Sequence, residues 1–330
     1  MDIAGRAEAI LESEVIWDAH SGFMPDPAAD LTNLRIWRDA GVNYLSVDVG
    51  FDLLPWHKTV GTLAAFRHWV LSHPREYMLV SSVDDILAAK ASGRLAITFD
   101  IEGMNALNGM VEMVEFYYRA GVRQMLFAYN RSNLAGGGCH DVDTGLTDFG
   151  RRVIDEMNRV GMFVDVTHTG YRTTMEVMEY TDRPVIFSHS NPKALCGHGR
   201  NITDDQIVAC ARTGGIIGVV GLNRFLGENR TDSERLADHV EYLADLVGSR
   251  HVGIGLDYSF PVEAGDIDTI IEAHPEFWPA NEYPKGETVY SKPSQMRELA
   301  EVLLRRGLTN RAVSDILGGN FLRLAREIWK

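Results

Sequence analysis

The chain has 330 residues, of which 45% are hydrophobic and 24% charged, the balance of a folded protein with a sizeable core. Its formal net charge of −14 argues against nucleic acids and anionic membrane surfaces as partners, because phosphate groups bind basic surfaces. Three cysteines fit a reducing compartment better than a disulfide framework. The N-terminus lacks a signal-peptide pattern and no apolar run has membrane-spanning length, so we expect a cytoplasmic protein.

Short apolar runs of strand type recur along the chain, and segments with helical periodicity fall between them. Two helical segments end in a glycine, Gly121 and Gly161, which can adopt the left-handed conformation that ends a helix. The predicted strands are Val15 to Asp18, Tyr44 to Val47, Leu95 to Asp100, Gln124 to Ala128, Phe163 to Val166, Val185 to Ser188, Gly215 to Val220 and His251 to Leu256. The predicted helices include Asn108 to Ala120, Asp148 to Val160, Thr173 to Tyr180, Thr203 to Thr213 and Ser233 to Leu246.

Eight strands alternating with helices predict an α/β fold, the closed (β/α)8 TIM barrel. No linker rich in proline and serine divides the chain, so residues 1–330 are expected to form a single domain. An open, doubly wound sheet with a helical C-terminal extension is the alternative. The long segment 258–292, rich in proline and acidic residues, is expected to form a lid or rim over the barrel mouth, with a plain surface loop as the other interpretation.

Side chains able to bind a metal follow five of the predicted strands. The C-terminal ends of barrel strands meet at one mouth, so these side chains should converge there. Imidazole combined with carboxylate suits zinc, iron, manganese or cobalt rather than calcium. A single histidine in such a place is more often a hydrogen-bonded structural residue, so the prediction depends on the convergence of all five. They are His20, Glu102, His168, His189 and Asp257.

Two neighbours of these residues bear on the same prediction. Gly103 follows Glu102 directly and favours close backbone packing around a fixed side chain, whereas a solvated carboxylate in a loop is the alternative. Asp100 is either a buried partner of a metal ligand or the ordinary polar end of a strand.

Several long stretches carry a resemblance to a known family. The strongest lies between Gly145 and Asn201, where GLTDFGRRVIDEMNRVGMFVDVTHTG leads on to PVIFSHSNPKALCGHGRN. VGIGLDY and the terminal GGNFLRL fit as well. From about Asp18 to the C-terminus, the chain resembles the membrane (renal) dipeptidase family of metallopeptidases, which belongs to the amidohydrolase-type barrels.

This resemblance implies hydrolysis of the amide bond in dipeptides or dipeptide-like small molecules by a metal-activated water. It implies a site for two ions, usually zinc, in which the catalytic residue Glu102 bridges both. His168 and His189 would bind one ion, and His20 would help to bind the other. Asp257, a second catalytic residue, would contact the amino group of the substrate or handle the catalytic proton.

The resemblance also implies how the substrate is recognised. Arg200 would hold a free substrate carboxylate as a bidentate fork, although a rim ion pair is the interpretation that the sequence alone favours. Asn201, its neighbour in the GRN segment, and Tyr129 are the other predicted substrate-binding residues. We therefore expect a small-molecule substrate with a free carboxylate as the partner, and a homodimer, the commonest oligomer of soluble enzymes.

The chain departs from the family pattern at two places. The first strand of the family carries His-x-Asp, whereas this chain has His20, Ser21 and Gly22, so one anionic metal ligand is absent. Asp26 could swing in, although prolines on both sides restrict its loop. After the fourth strand the family has a substrate-orienting histidine, and this chain has Tyr129.

Two alternatives follow from these departures. Loss of an anionic ligand should weaken one ion most, and the other would keep three protein ligands with an open position for water, as in a catalytic zinc site. A one-metal hydrolase of another small amide, lactam or N-acyl compound is therefore a rival function. A barrel that has lost catalysis and only binds a ligand is the second rival, supported by Gly22.

Overall fold

The computed structural model describes residues 2–22, 25–259 and 267–330. Its strands are β1 Trp17–Ser21, β2 Tyr44–Phe51, β3 Tyr77–Leu79, β4 Leu95–Glu102, β5 Val122–Leu126, β6 Phe163–Asp165, β7 Val185–Phe187, β8 Ile216–Val219 and β9 Val252–Ile254.

Helices pack around these strands. They are α1 Ile3–Ser13, α2 Arg35–Asp39, α3 Trp56–Ser72, α4 Val83–Ala91, α5 Met113–Ala120, α6 Asp148–Val160, α7 Tyr171–Tyr180, α8 Asp204–Arg212, α9 Asn223–Leu226, α10 Ser233–Val247, α11 Ile267–Ala273, α12 Met296–Arg305, α13 Asn310–Ser314 and α14 Asn320–Ile328. Short 3-10 turns and one π turn are Leu31–Leu34, Asn105–Leu107, Ser249–His251, Pro293–Gln295 and Asp315–Gly319. Within the described part of the chain, no helix has the length and apolarity needed to cross a membrane.

The strands form one parallel sheet in the order β1-β2-β4-β5-β6-β7-β8-β9, and β3 pairs with β4 outside this path. Side chains on both faces of the strands are buried, as expected where helices cover a parallel sheet. All eight predicted strands lie on this path, which confirms the (β/α)8 barrel and excludes the open, doubly wound sheet.

Asp18 joins the two ends of the sheet at the barrel mouth. Its Oδ1 accepts a hydrogen bond from the backbone N of Leu256 at 2.8 Å, and its Oδ2 accepts one from Trp37 Nε1 at 2.9 Å. Beside it, the backbone N of Asp257 donates to the carbonyl oxygen of His20 at 3.1 Å. These bonds connect the segment after β9 to β1, so they nearly close the barrel at the end where its strands terminate.

Two local predictions differ from the structure. The β3 strand, Tyr77–Leu79, was not predicted. Helix α5 begins at Met113 rather than Asn108. Asn108 and Gly109 have φ angles of 50° and 72°, left-handed values that a right-handed helix cannot include. The predicted glycine ends of two helices are confirmed, since Gly121 and Gly161 have φ angles of 110° and 91°.

The segment 258–292 lies partly outside the described residues, which exclude 260–266. Its described part packs over the barrel mouth, where Ile271, Trp278 and Tyr283 are buried in one apolar cluster with Phe51 and Tyr129. Arg224 of α9 anchors this part by donating to the Asp268 carboxylate at 3.0 Å and to the carbonyl oxygens of Pro284 and Gly286 at 2.7 and 2.6 Å.

Replacement of Asp18 by Asn should lower the free energy of unfolding by about 1–3 kcal/mol, measured by urea denaturation. The carboxylate of Asp18 accepts from two donors, the backbone N of Leu256 and Trp37 Nε1. The asparagine amide has only one acceptor oxygen, so its NH2 group would face one of these donors and leave it without a hydrogen bond. Asp245→Asn, an exposed position on α10, is the control and should change stability by less than about 0.5 kcal/mol. Equal stabilities of the two variants would show that the Asp18 carboxylate does not stabilise the junction between β1 and the segment after β9.

Candidate metal centre

Three histidines from different strands converge on one carboxylate oxygen. His20 lies in β1, Glu102 ends β4, and His168 and His189 follow β6 and β7. The Nε2 atoms of His20, His168 and His189 lie 3.6, 3.5 and 3.4 Å from Glu102 Oε1. The Nε2 atoms of His168 and His189 are 3.1 Å apart. The structure thus brings the four predicted metal-binding residues together at the C-terminal ends of the strands.

The other ring nitrogen of each histidine has a buried hydrogen-bond partner. Such partners fix the orientation of the ring and leave Nε2 free to face the centre. They are Asp100 Oδ1 for His20 at 3.0 Å, Asn130 Oδ1 for His168 at 2.6 Å and Ser188 Oγ for His189 at 2.8 Å. Of the two interpretations of Asp100, the structure therefore supports the buried partner of a predicted metal ligand, His20.

The backbone of this centre is constrained. His168, Asn130 and Asp257 have φ angles of 61°, 59° and 54°, in the left-handed region that few residues other than glycine adopt. Such conformations persist where the surrounding structure holds them and are typical of functional sites. The local geometry around these three residues thus supports a functional centre at the barrel mouth.

Gly103 allows the close packing next to Glu102 that the sequence indicated. Its φ angle is 117°, and a Cβ atom there would lie 2.1 Å from Cγ of Asp52. The buried Asp52 carboxylate accepts hydrogen bonds from the backbone N of Asn105 at 2.8 Å and of Tyr129 at 3.1 Å. Asp52 therefore ties the loops after β4 and β5 together, a role that the sequence analysis missed.

Burial and nearby positive charges favour the neutral, metal-binding form of two of the three histidines. Burial lowers the pKa of His168 and His189 well below the usual range, and the positive charges of Arg200 and His20 lower both further. Their imidazoles are thus neutral, the form that binds a metal. Burial raises the pKa of Glu102 to about 8, against the opposing effect of His20.

His20 differs from the other two histidines. Burial lowers the pKa of its imidazole, but the negative charges of Asp100 and Glu102 outweigh this effect and raise the pKa well above its usual value. The carboxylates around His20 therefore attract positive charge to this side of the centre.

The donor set fits a transition-metal ion. Glu102 Oε1 and His20 Nε2 are buried without a hydrogen-bond partner among the described residues, which is costly unless a cation compensates. Two ligand atoms at about 2.1 Å from one tetrahedral ion lie about 3.4 Å apart, close to the distances around Glu102 Oε1. Ligand atoms of His20, Glu102 and His189 all lie within 4.8 Å of one another.

Asp257 reaches the same centre from the loop after β9. Its Oδ1 lies 3.4 Å from His20 Nε2, and its side chain is 17% exposed. The structure does not bring Asp26, which the sequence offered as a substitute ligand, to this centre. Asp26 is exposed and its Oδ1 accepts a hydrogen bond from the backbone N of Ala28 at 2.8 Å, because an aspartate commonly caps the turn that it begins.

A cavity opens beside the centre. Glu102, His168 and Asp257 border it on the barrel side, together with Tyr129, whose ring stacks on that of His168 at 4.2 Å between centroids. The rest of its wall is mainly apolar and comes from β2, the region of α9 and the segment 267–290. These residues are Phe51, Leu222, Phe225, Ile267, Ile271, Trp278, Tyr283 and Tyr290.

Arg200 and Asn201 do not line this cavity. Both are buried, and Arg200 donates from Nη1 to Ser190 Oγ at 3.0 Å and from Nη2 to the carbonyl oxygen of His189 at 2.6 Å. Asn201 Nδ2 donates to the carbonyl oxygens of Cys196 and Phe225, both at 2.9 Å. Their predicted contacts with substrate remain predictions.

Two polar residues of the cavity wall were missed by the sequence analysis. Asp48 lies in β2, where it is 1% exposed. Arg224 holds the segment over the mouth through its hydrogen bonds to Asp268, Pro284 and Gly286. For Asp48 a signal was available, since acidic residues recur at the end of the second strand in SVDVGFD. Arg224 carried none, because only its contacts with distant loop carbonyls reveal it.

The comparisons with known proteins agree with this geometry. The sequence model described as membrane dipeptidase (peptidase family M19) matches residues 55–271, more than half of the chain. An uncharacterized dipeptidase of Schizosaccharomyces pombe is 29% identical over 297 residues, which cover 87% of this chain and 65% of the relative. A dipeptidase of Aspergillus oryzae is 29% identical over 271 residues, which cover 79% of this chain and 59% of the relative.

The chain therefore spans about two thirds or less of the length of these two relatives. Among solved structures, an amidohydrolase from Pseudomonas aeruginosa superimposes with a TM-score of 0.88 at 27% identity, over 98% of this chain and 99% of the other. The resemblance seen in the sequence is thereby confirmed, and the chain belongs to the membrane dipeptidase family of metallopeptidases, peptidase family M19.

Proposed function

We propose that this protein is a metallodipeptidase, which hydrolyses the amide bond of dipeptides or dipeptide-like small molecules with one or two bound transition-metal ions, zinc first among them. The observation that carries the proposal is the buried, unpartnered Oε1 of Glu102, faced by three imidazole Nε2 atoms at 3.4–3.6 Å. This ligand set also favours hydrolysis over the alternative of a catalytically inactive barrel.

Each residue of the centre has a distinct task in this proposal. His20, Glu102, His168 and His189 would hold the metal. Bound there, such an ion polarises a substrate carbonyl and lowers the pKa of water towards 7. The Asp257 carboxylate, at the edge of the cavity, would accept a proton from the attacking water and return it to the leaving amine.

The cavity wall supports binding of a compact substrate next to the centre. Tyr129 would orient the substrate, since its ring lies between His168 and the apolar cluster that contains Phe51 and Trp278. The apolar side chains over the mouth exclude water, which strengthens every charge interaction within the cavity.

We propose that Arg200 attracts a free carboxylate of the substrate, assisted by its neighbour Asn201. The positive charge of Arg200 acts on Glu102 and Tyr129, both of which line the cavity, and its Nε has no hydrogen-bond partner among the described residues. Arg200 would thus contribute by its electrostatic field or after a change of its hydrogen bonds.

A second candidate is a hydrolase of an amide, lactam or N-acyl compound that lacks a free carboxylate. The observation in its favour is that both terminal nitrogens of Arg200 donate within the protein, to His189 and Ser190. Arg224, which does line the cavity, is paired with Asp268. A comparison of hydrolysis rates for a dipeptide and its C-terminal amide separates this candidate from the dipeptidase.

We also propose a cytoplasmic, homodimeric enzyme with no nucleic-acid or membrane partner. The free thiols of Cys139, Cys196 and Cys210 support a reducing compartment. The net charge of −14 supports the absence of polyanionic partners.

A dipeptide with a free C-terminus should be hydrolysed with a kcat/KM at least about 100-fold above that of its C-terminal amide, because the amide lacks the charge that Arg200 attracts. Arg200→Lys, which keeps the charge, should retain most of this preference, and Arg200→Ala should lose it. Arg212→Ala, on the surface helix α8, is the control. Equal rates on both substrates in the wild type would favour the second candidate.

Glu102→Gln should abolish stabilisation of the fold by added zinc. A ligand at 1,000 times its Kd adds about 4 kcal/mol to the free energy of unfolding, and the amide removes the shared anionic ligand. Thermal denaturation with and without zinc, after chelator treatment, measures the difference. Glu112→Gln, an exposed glutamate before α5, should respond like the wild type. An unchanged zinc response of Glu102→Gln would refute the assignment.

His189→Ala should lower kcat/KM for a dipeptide by about 1,000-fold or more, equivalent to about 4 kcal/mol of transition-state stabilisation. The imidazole faces Glu102 Oε1 and cannot be replaced by the methyl group. Chelation of the wild type should have the same effect and zinc should reverse it, but zinc should not rescue the variant. His68→Ala, exposed on α3, should keep full activity. Full activity in His189→Ala would be incompatible with this centre.

A further inference from the structure

We propose that the substrate carries an uncharged apolar side chain, aliphatic or aromatic, and that Asp268 helps to select it by neutralising Arg224 in the cavity wall. The inference rests on the proposed function, because it names the class of side chain that the same cavity accepts. It also assigns a specificity-determining role to Asp268, a residue that lies outside the metal centre.

The first observation is the composition of the cavity wall. Carboxyl groups border the cavity on the barrel side, where the metal centre lies. Most of the remaining wall is aromatic or aliphatic, and Phe51, Ile271 and Trp278 are among its residues. Contact between such side chains and an apolar group of the substrate removes both surfaces from water, which favours binding.

The second observation is that the apolar residues of the wall pack against one another. The ring centroid of Trp278 lies 6.4 Å from that of Phe51 and 5.8 Å from that of Tyr129. Tyr283 belongs to the same cluster, and its hydroxyl is hydrogen-bonded to Nε2 of His140 at 3.2 Å. A polar substrate side chain placed against this cluster would lose its hydration without gaining a hydrogen bond, which is costly.

The third observation concerns Arg224, the one arginine or lysine among the described residues that border the cavity. All three of its guanidinium nitrogens donate within the protein. The acceptors are Thr288 Oγ1 at 3.1 Å from Nε, the Pro284 carbonyl oxygen at 2.7 Å from Nη1, and Asp268 Oδ1 and the Gly286 carbonyl oxygen at 3.0 and 2.6 Å from Nη2. An acidic substrate side chain would therefore have to compete with these bonds.

Asp268 supplies the negative charge that balances Arg224. Its Oδ2 accepts a hydrogen bond from the backbone N of Thr288 at 2.9 Å, which fixes the carboxylate beside the guanidinium. The side chains of Arg224 and Asp268 are 10% and 21% exposed, so solvent screens the pair only in part. With this ion pair intact, the wall offers no net positive charge to an acidic side chain.

Hydrolysis of two series of dipeptides, X-Ala and Ala-X, tests the class of side chain. Leucine, asparagine and aspartate have nearly the same shape, so as X they separate the effects of polarity and charge from that of size. In at least one series kcat/KM should fall from leucine to asparagine to aspartate, by about 100-fold or more overall. The reason is that the wall contacts apolar atoms and leaves a buried charge unpaired.

Replacement of Asp268 by Asn tests the selecting residue. The kcat/KM ratio of the aspartate to the leucine dipeptide should rise about 10-fold, because the charge of Arg224 is no longer balanced while the side chain keeps its shape. Glu272→Gln is the matched control and should keep the wild-type ratio. Glu272 lies on the same helix, α11, and also pairs with a cation, Lys285 at 3.1 Å, but it is exposed and does not border the cavity.

A second variant keeps the test decisive if Asp268→Asn loosens the segment over the mouth. Ile271→Asn places an amide in the wall, so the preference for the leucine over the asparagine dipeptide should fall by about 10-fold. Thermal denaturation checks that each variant folds.

Binding measured without turnover separates this inference from the proposed function. Isothermal titration calorimetry with the N-acetyl amides of leucine, asparagine and aspartate reports the side-chain preference whether or not the protein cleaves dipeptides. The Kd should rise in that order. Binding in this order without hydrolysis of any dipeptide would refute the proposed function and support the inference.

Hydrolysis of both series without a preference among leucine, asparagine and aspartate would leave the proposed function intact and overturn the inference. Equal Kd values for the three N-acetyl amides would also overturn it. An unchanged ratio in a folded Asp268→Asn variant would refute the selecting role of Asp268, and an unchanged preference in Ile271→Asn would refute the role of the apolar wall.

Discussion

A carboxylate oxygen that is buried, unpartnered and faced by three imidazoles is the constraint on which the rest of the site depends. Without a cation, Glu102 Oε1 would forfeit its hydration for no compensating hydrogen bond. The partners at the far nitrogens of His20, His168 and His189 all turn the rings towards this atom. A bound metal ion would explain why this hydrogen-bond network directs three imidazoles at one carboxylate oxygen.

The barrel supplies what a local motif could not. Each ligand comes from a different strand, and parallel strands in a closed barrel end at one mouth. Asp18 holds the two ends of the sheet together only two residues from His20, so closure of the barrel and position of the first ligand are linked. The tightly packed strands also hold the left-handed backbone at His168, Asn130 and Asp257.

The cavity combines a charged floor with an apolar cover. Asp48, Glu102 and Asp257 place three carboxyl groups beside the centre, and such oxygen atoms would favour a bound cation and the amino group of a substrate. The apolar cover is the part of the segment 267–290 that contains Ile271, Trp278 and Tyr283. Hydrogen bonds from Arg224 to the carbonyl oxygens of Pro284 and Gly286 hold this cover against α9. The chain departs from the family pattern at Gly22, and a side chain at this position would meet the carboxylate of Asp257. Tyr129, the second departure, changes the cavity wall next to His168.

The sequence by itself determined the barrel and the convergent ligands, since hydrophobic periodicity locates strands and the ends of barrel strands share one mouth. It could not determine how side chains meet across the mouth. Asp26 caps its own turn, Asp52 packs under Gly103, and both terminal nitrogens of Arg200 bond within the protein. Only the tertiary structure decided that the space beside Gly22 belongs to Asp257, because shared space between distant loops leaves no periodic trace in the chain.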